Sequence, residues 1–168
     1  AYRRRYDHLV ERLTESPFVS DYGGKWSLIS YLNKIDGNQH MVLQKGSVVE
    51  DTPTLVRMHS INVFSDTMGQ PGPRKRLLQR CMSEIGEVGS GVIVLLIPSR
   101  RGGLAEMVGA GGLVPEMDLK NYGIGAQILA DLGIKDMVLL TSNPRNIVGL
   151  EGYGLNVIGE RNISSLII

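Results

Sequence analysis

From Lys25 to Asn33 the chain alternates, with Trp26, Leu28 and Ser30 set against Ser27, Ile29 and Tyr31. A period of two is the mark of a half-buried strand. Asp36-Gly37-Asn38 supplies a turn, and Gln39–Lys45 returns as a second strand, so a hairpin is predicted. Pro53 leads into a third strand, Thr54–Ser60. Beyond residue 70 the period changes. In Pro73–Val88, Leu77, Leu78, Cys81, Met82, Ile85 and Val88 form one stripe, and Arg74, Lys75, Arg76, Arg80, Glu84 and Glu87 take the other faces. That is an amphipathic helix. Gly89-Ser90-Gly91 stops it, and Val92–Ile97 is apolar throughout, as a strand covered on both faces must be.

Pro98–Met117 is glycine-rich and predicts irregular chain. Asp118 precedes a helix running to about Leu132, Met137–Leu140 is a buried strand, Asn143–Leu150 a helix and Leu155–Ile158 a last strand. At the other end, Leu9, Val10 and Leu13 lie on one side of a short amphipathic helix over Tyr2–Leu13, and TESPFVSDYGGKW after it is rich in turn residues. Antiparallel strands first and strand–helix alternation afterwards predict an α/β domain with a mixed sheet and an antiparallel β-hairpin on its N-terminal side.

Composition narrows the classes. A chain of 168 residues suits one domain and buries roughly 70% of its unfolded surface. Its net charge of +1 provides no global field for nucleic acid or an anionic membrane. Nowhere does an apolar run approach the ~18 residues that a spanning helix needs. Cys81 is the only cysteine, which excludes an internal disulfide and a multi-cysteine zinc site. Cytoplasm is the expected location. The start at Ala1, followed by the basic run Arg3-Arg4-Arg5, reads as a cut from something longer. Residues 1–16 are accordingly expected to be a linker or helix from an upstream domain, with the domain proper at 17–168.

Three segments carry candidate chemistry: Arg57-Met58-His59-Ser60-Ile61-Asn62, Asp118-Leu119-Lys120-Asn121-Tyr122-Gly123 and Thr141-Ser142-Asn143-Pro144-Arg145-Asn146. Over nearly the whole chain, and most closely from Asp118 onward, the sequence resembles GTP cyclohydrolase II, the zinc enzyme that opens the imidazole ring of GTP in riboflavin biosynthesis. The family's phosphate-binding strand reads Arg-Val-His-Ser-Glu-Cys. Here Arg57, His59 and Ser60 match, whereas Ile61 stands for the Glu and Asn62 for the first zinc Cys. A gapless alignment through Asp66 and Gly69 puts Pro73 and Lys75 at the other two thiolate positions. Zinc in such a site activates a bound water; Asn, Pro and Lys supply no thiolate for it, and Cys81 on the apolar stripe reads as a core residue.

The family's segment with an active-site Tyr, following the Val92–Ile97 strand, is shortened here and holds no Tyr. Its glycines read either as a remnant loop or as a phosphate nest. The resemblance makes Asp118 a proton acceptor, or the N-cap of the next helix. Lys120 stands where the family's Arg engages the α-phosphorus, and lysine lacks the bidentate fork. Thr141 opens a turn that in the family contacts the nucleotide; equally, Ser142 or Asn143 caps a helix.

The resemblance therefore implies a cyclohydrolase II-like domain of a riboflavin-biosynthesis protein, fused behind a 3,4-dihydroxy-2-butanone 4-phosphate synthase. It is expected to be homodimeric, without zinc and without cyclohydrolase activity, in a structural, dimerising or nucleotide-sensing role. Any GTP or related nucleotide, with Mg²⁺, would meet Arg57, His59, Ser60 and Thr141. The alternatives are an active GTP cyclohydrolase II, or a zinc-free hydrolase of a phosphorylated nucleotide using Asp118 and Lys120.

Overall fold

The computed structural model describes residues 9–98, 103–112, 119–141 and 151–163, without the side chains of 119–121 and 151. The chain runs β1 Val10–Ser20, β2 Gly24–Asn33, β3 Gln39–Lys45, β4 Thr54–Ser60, α1 Val63–Thr67, α2 Leu77–Val88 and β5 Gly91–Leu96. It continues with α3 Gly103–Gly109, α4 Leu119–Asp131, β6 Asp136–Thr141, a 3₁₀ turn Glu151–Tyr153 and β7 Asn156–Asn162. The strands make one mixed sheet in the order β1-β2-β3-β5-β4-β6-β7. The β1/β2, β2/β3 and β3/β5 pairs are antiparallel, and β5/β4, β4/β6 and β6/β7 are parallel.

Each face of the sheet is covered by a helix whose apolar stripe decides where it sits. On one face Leu77, Cys81, Met82 and Ile85 of α2 pack on Trp26, Leu43, Leu55, Ile93 and Leu95. On the other, Ile124, Ala126, Ile128 and Leu129 of α4 pack on Tyr31, Val42, Val56, Val94 and Leu139. Lying between both layers, β5 is buried at every position, which is why its sequence shows no alternation. The hairpin turn between β1 and β2 is pressed onto α2: a Cβ on Gly86 would lie 2.4 Å from the Gly23 Cα, and one on Gly23 2.7 Å from the Met82 carbonyl. Neither position has room for a side chain.

Three local expectations differ. Val10–Leu13 is extended rather than helical, and Thr14–Ser20, read as turn-rich, continues the same strand, since β1 draws its hydrogen bonds from β2; the register slips at Leu13, between Arg12 and Thr14. The helix expected from Pro73 starts at Leu77, because Arg76 turns into the left-handed region at φ 57° and breaks the helical path. Part of the stretch read as irregular is the helix α3, whose Leu104 and Val108 face solvent. The helix predicted over 143–150 lies outside the described residues.

Pairing of β4 with β6 stops at Val56↔Leu139, and beyond it the two strands diverge. The chain leaving β4 goes to β5 on one side, and the chain leaving β6 goes to β7 on the other. The carboxyl ends of β4 and β6, at Ser60 and Thr141, therefore flank a topological switch point, where open α/β sheets form their ligand crevices.

Candidate functional site

Alternation along β4 sends Val56 and Met58 into the α4 layer. It turns Arg57 and His59 to the same side as Leu55, beneath α2. Both are buried, at 8% and 0% exposure, although they are polar. Burial without partners would be costly, and all their side-chain nitrogens but Arg57 Nε have partners among the described residues. Arg57 Nη1 donates to the Leu140 carbonyl at 3.4 Å, filling the fork where β4 and β6 part. Its Nη2 lies 3.4 Å from His59 Nδ1. Arginine only donates, so Nδ1 accepts and the imidazole proton sits on Nε2, which donates to Asp66 at 3.0 and 3.1 Å.

This arrangement sets the charges. Burial pushes the His59 pKa down, against the bond to Asp66, and the neighbouring Arg57 charge pushes the same way. For Asp66 burial acts upward, but the bonds from His59 and the Asn62 amide outweigh it and hold the carboxyl below its ordinary range. The chain is a cation, a neutral imidazole and a carboxylate in series.

Asn62 opens α1. Its Oδ1 accepts from the Phe64 and Ser65 amides at 3.0 and 3.4 Å, and its Nδ2 donates to the Gly112 carbonyl at 3.4 Å. Its own amide donates to Asp66 Oδ2 at 2.8 Å, closing a reciprocal cap. Arg74 reaches back from the segment before α2 and donates to the Ser60 carbonyl at 2.7 Å. Gln79 donates from α2 to the Asp66 carbonyl at 2.9 Å. Pro73 and Lys75, on either side of Arg74, are exposed.

Of the residues singled out in the sequence, the structure joins Arg57 and His59 directly. It places Ser60 half-buried at the end of their strand, and Thr141 half-buried at the end of β6. Thr141 follows Leu140, whose carbonyl Arg57 takes. Asp118 lies outside the described residues, as does the side chain of Lys120, whose backbone lies in the first turn of α4. Sequence reasoning gave no role to Asp66 or Arg74. The available signal was a carboxylate four residues after Asn62 and seven after His59, the spacing that lets a first-turn acid reach back over its own cap.

A family model described as GTP cyclohydrolase II matches residues 11–162. The chain belongs to the GTP cyclohydrolase II family. The riboflavin biosynthesis protein RibBA of Bacillus cereus (strain B4264) is 38% identical over 177 residues, covering 94% of this chain and 44% of that protein. Its counterpart in Bacillus subtilis (strain 168) is 38% identical over 178 residues, covering 93% and 43%. The chain thus spans less than half the length of these relatives. In fold it resembles RibBX, a two domain 3,4-dihydroxy-2-butanone 4-phosphate synthase from A. baumannii, with a TM-score of 0.60 at 23% identity. That likeness covers 95% of this chain and 42% of RibBX. Within this cyclohydrolase II-family chain, Asn62 is a buried helix cap, and Pro73 and Lys75 are exposed.

Proposed function

We propose that this is the cyclohydrolase II-like domain of a riboflavin-biosynthesis protein, and that it neither holds zinc nor opens GTP. The observation that carries the reading is Asn62. Its side-chain oxygen is occupied by two helix amides and its nitrogen by Gly112. A proline has no donor atom to offer in a thiolate's place, and a lysine adds a positive charge beside a dication. This donor set does not fit a zinc ion. The domain's role is structural or sensory, within a cytoplasmic protein that joins it to a 3,4-dihydroxy-2-butanone 4-phosphate synthase domain. The relatives' length, more than twice that of this chain, supports such a fusion. Homodimerisation and occupation of the crevice by GTP with Mg²⁺ belong to the same proposal.

Metal analysis of the purified protein, paired with a formate-release assay on GTP, tests it. The expected result is substoichiometric zinc and no formate. Stoichiometric zinc together with formate would overturn it. Calorimetry with GTP and Mg²⁺ then separates the roles: a saturating isotherm means a surviving pocket and a sensor, and no heat means a structural domain. Light scattering of the same preparation reports the dimer.

A further inference from the structure

By the family resemblance, the thiolates would stand just after the β4 strand, at Asn62, and on the segment leading into α2, at Pro73 and Lys75. In this chain hydrogen bonds tie the two pieces. Arg74 stands between the two lost thiolate positions and donates back to Ser60, two residues before the third. Gln79 makes a parallel tie, from the first turn of α2 to the Asp66 carbonyl in α1. Asp66 is itself fixed from the β4 side by His59 and the Asn62 amide, and His59 by Arg57, anchored on Leu140 of β6. Asn62 extends the tie to Gly112, beyond α3.

We propose that this hydrogen-bond network, with Arg74 and Asp66 at its centre, is the fastener of the β4–α1–α2 corner, doing without metal what the thiolates and zinc do in the family. It rests on the reading that the domain binds no zinc. Each link joins a donor to an acceptor, although Arg57 Nε, Arg74 Nε and Gln79 Oε1 are buried without a partner among the described residues. Arg74 meets a carbonyl at a strand end, where backbone groups lack a ladder partner, and a charged donor makes that bond stronger than a neutral one. Asp66 accepts from His59, from a backbone amide and at its own carbonyl from Gln79, so one residue joins a strand and two helices. Pro73 and Lys75, freed from ligation, lie exposed on either side of Arg74. A further consequence concerns Arg57 and His59, which act here as positioning residues of the corner; both His59 nitrogens and both terminal nitrogens of Arg57 have partners inside the fold.

Hydrogen exchange read by mass spectrometry over residues 61–76, against β2 and β3 as an internal reference, tests the proposal on the whole protein. Arg74→Ala is expected to speed exchange in 61–76 by about tenfold, the loss of one charge-assisted bond, and Asp66→Ala, which removes the acceptor of both His59 and the Asn62 amide, by about thirtyfold or more, with the reference strands unchanged. Arg74→Lys, which keeps a donor, should restore part of the protection. Prolonged chelation should leave exchange in the wild-type unaltered. If Arg74→Ala and Asp66→Ala exchange like the wild-type in a protein shown to be free of zinc, the fastener is wrong while the zinc-free reading stands. If chelation itself loosens 61–76, a metal holds the corner and both fall. Should Asp66→Ala fail to fold, Arg74→Ala, whose side chain is only partly buried, carries the test.

Discussion

At the scale of single residues, the fold keeps two histidines neutral. His59 does so by accepting from Arg57, and His40 by accepting the Ile97 amide at 3.0 Å on Nδ1, with burial pushing its pKa down. Below the ordinary value of 6.5 the unfolded chain then binds more protons than the folded one. Stability should hold at neutral pH and fall as the pH drops past that value. Asp66 is shifted below its ordinary 3.8, so its contribution persists to more acid conditions and disappears as the pH falls through and below 3.8. Urea midpoints at pH 7.5, 5.5 and 3.5 should decline in two steps, and a flat profile between 7.5 and 5.5 would contradict the histidine assignment. Asp66→Asn, measured by denaturation at pH 7.5, should cost about 2–4 kcal/mol, because it weakens a charge-assisted bond and leaves a buried arginine uncompensated. Arg57 and His59 stood out in the motif, but their burial was not legible from it. Only the position of α2 over β4 shows that these side chains face a helix.

At the scale of elements, hydrophobic period was a good guide wherever an element is covered on a fixed face. The third strand matches its prediction at both ends because Pro53 stops pairing before it and the chain turns after Ser60. β1 was missed because nine of its eleven residues are exposed, so no core dictates a pattern, and its extended form comes from pairing with β2, which is remote information. The close approach of the hairpin turn to α2 was equally hidden, since an isolated glycine in a helical stripe reads as a mere defect. Gly86→Ala tests it. Alanine improves helix propensity by about 1 kcal/mol, yet here its Cβ would collide with the Gly23 backbone. The expected outcome is a net loss of about 1–3 kcal/mol and a lower Tm. Gly159→Ala, whose Cβ would meet only Val138 Cγ2 at 3.9 Å, should change stability by less than about 0.5 kcal/mol. Equal behaviour of the two variants would mean that the turn and α2 are not in contact.

At the scale of the molecule, the antiparallel half and the parallel half are joined through β5, paired antiparallel to β3 and parallel to β4. They are also pinned at a distance. Tyr31 of β2 donates to Asp131, the last residue of α4, at 2.6 Å, and Arg12 of β1 reaches the same carboxylate at 3.4 Å while lying over the Tyr31 ring. Tyr31→Phe should therefore cost about 1 kcal/mol and make exchange in β1 faster, and a change confined to α4 would show that the pin does not restrain the hairpin. Among the described residues no helix is long and apolar enough to cross a membrane.

By itself the sequence determined the class of the fold, the covered strands and helices, and the family. Each of these is written in side-chain period or residue type, which neighbours in the chain suffice to reveal. Tertiary structure alone decided the strand order, the divergence of β4 from β6 after Val56 and Leu139, and the internal use of Arg57, His59, Asp66 and Arg74. Those depend on which face of a strand a helix covers and on bonds between residues far apart in the chain. A hydrogen bond exists only where packing brings a donor to an acceptor, and no local period encodes that distance.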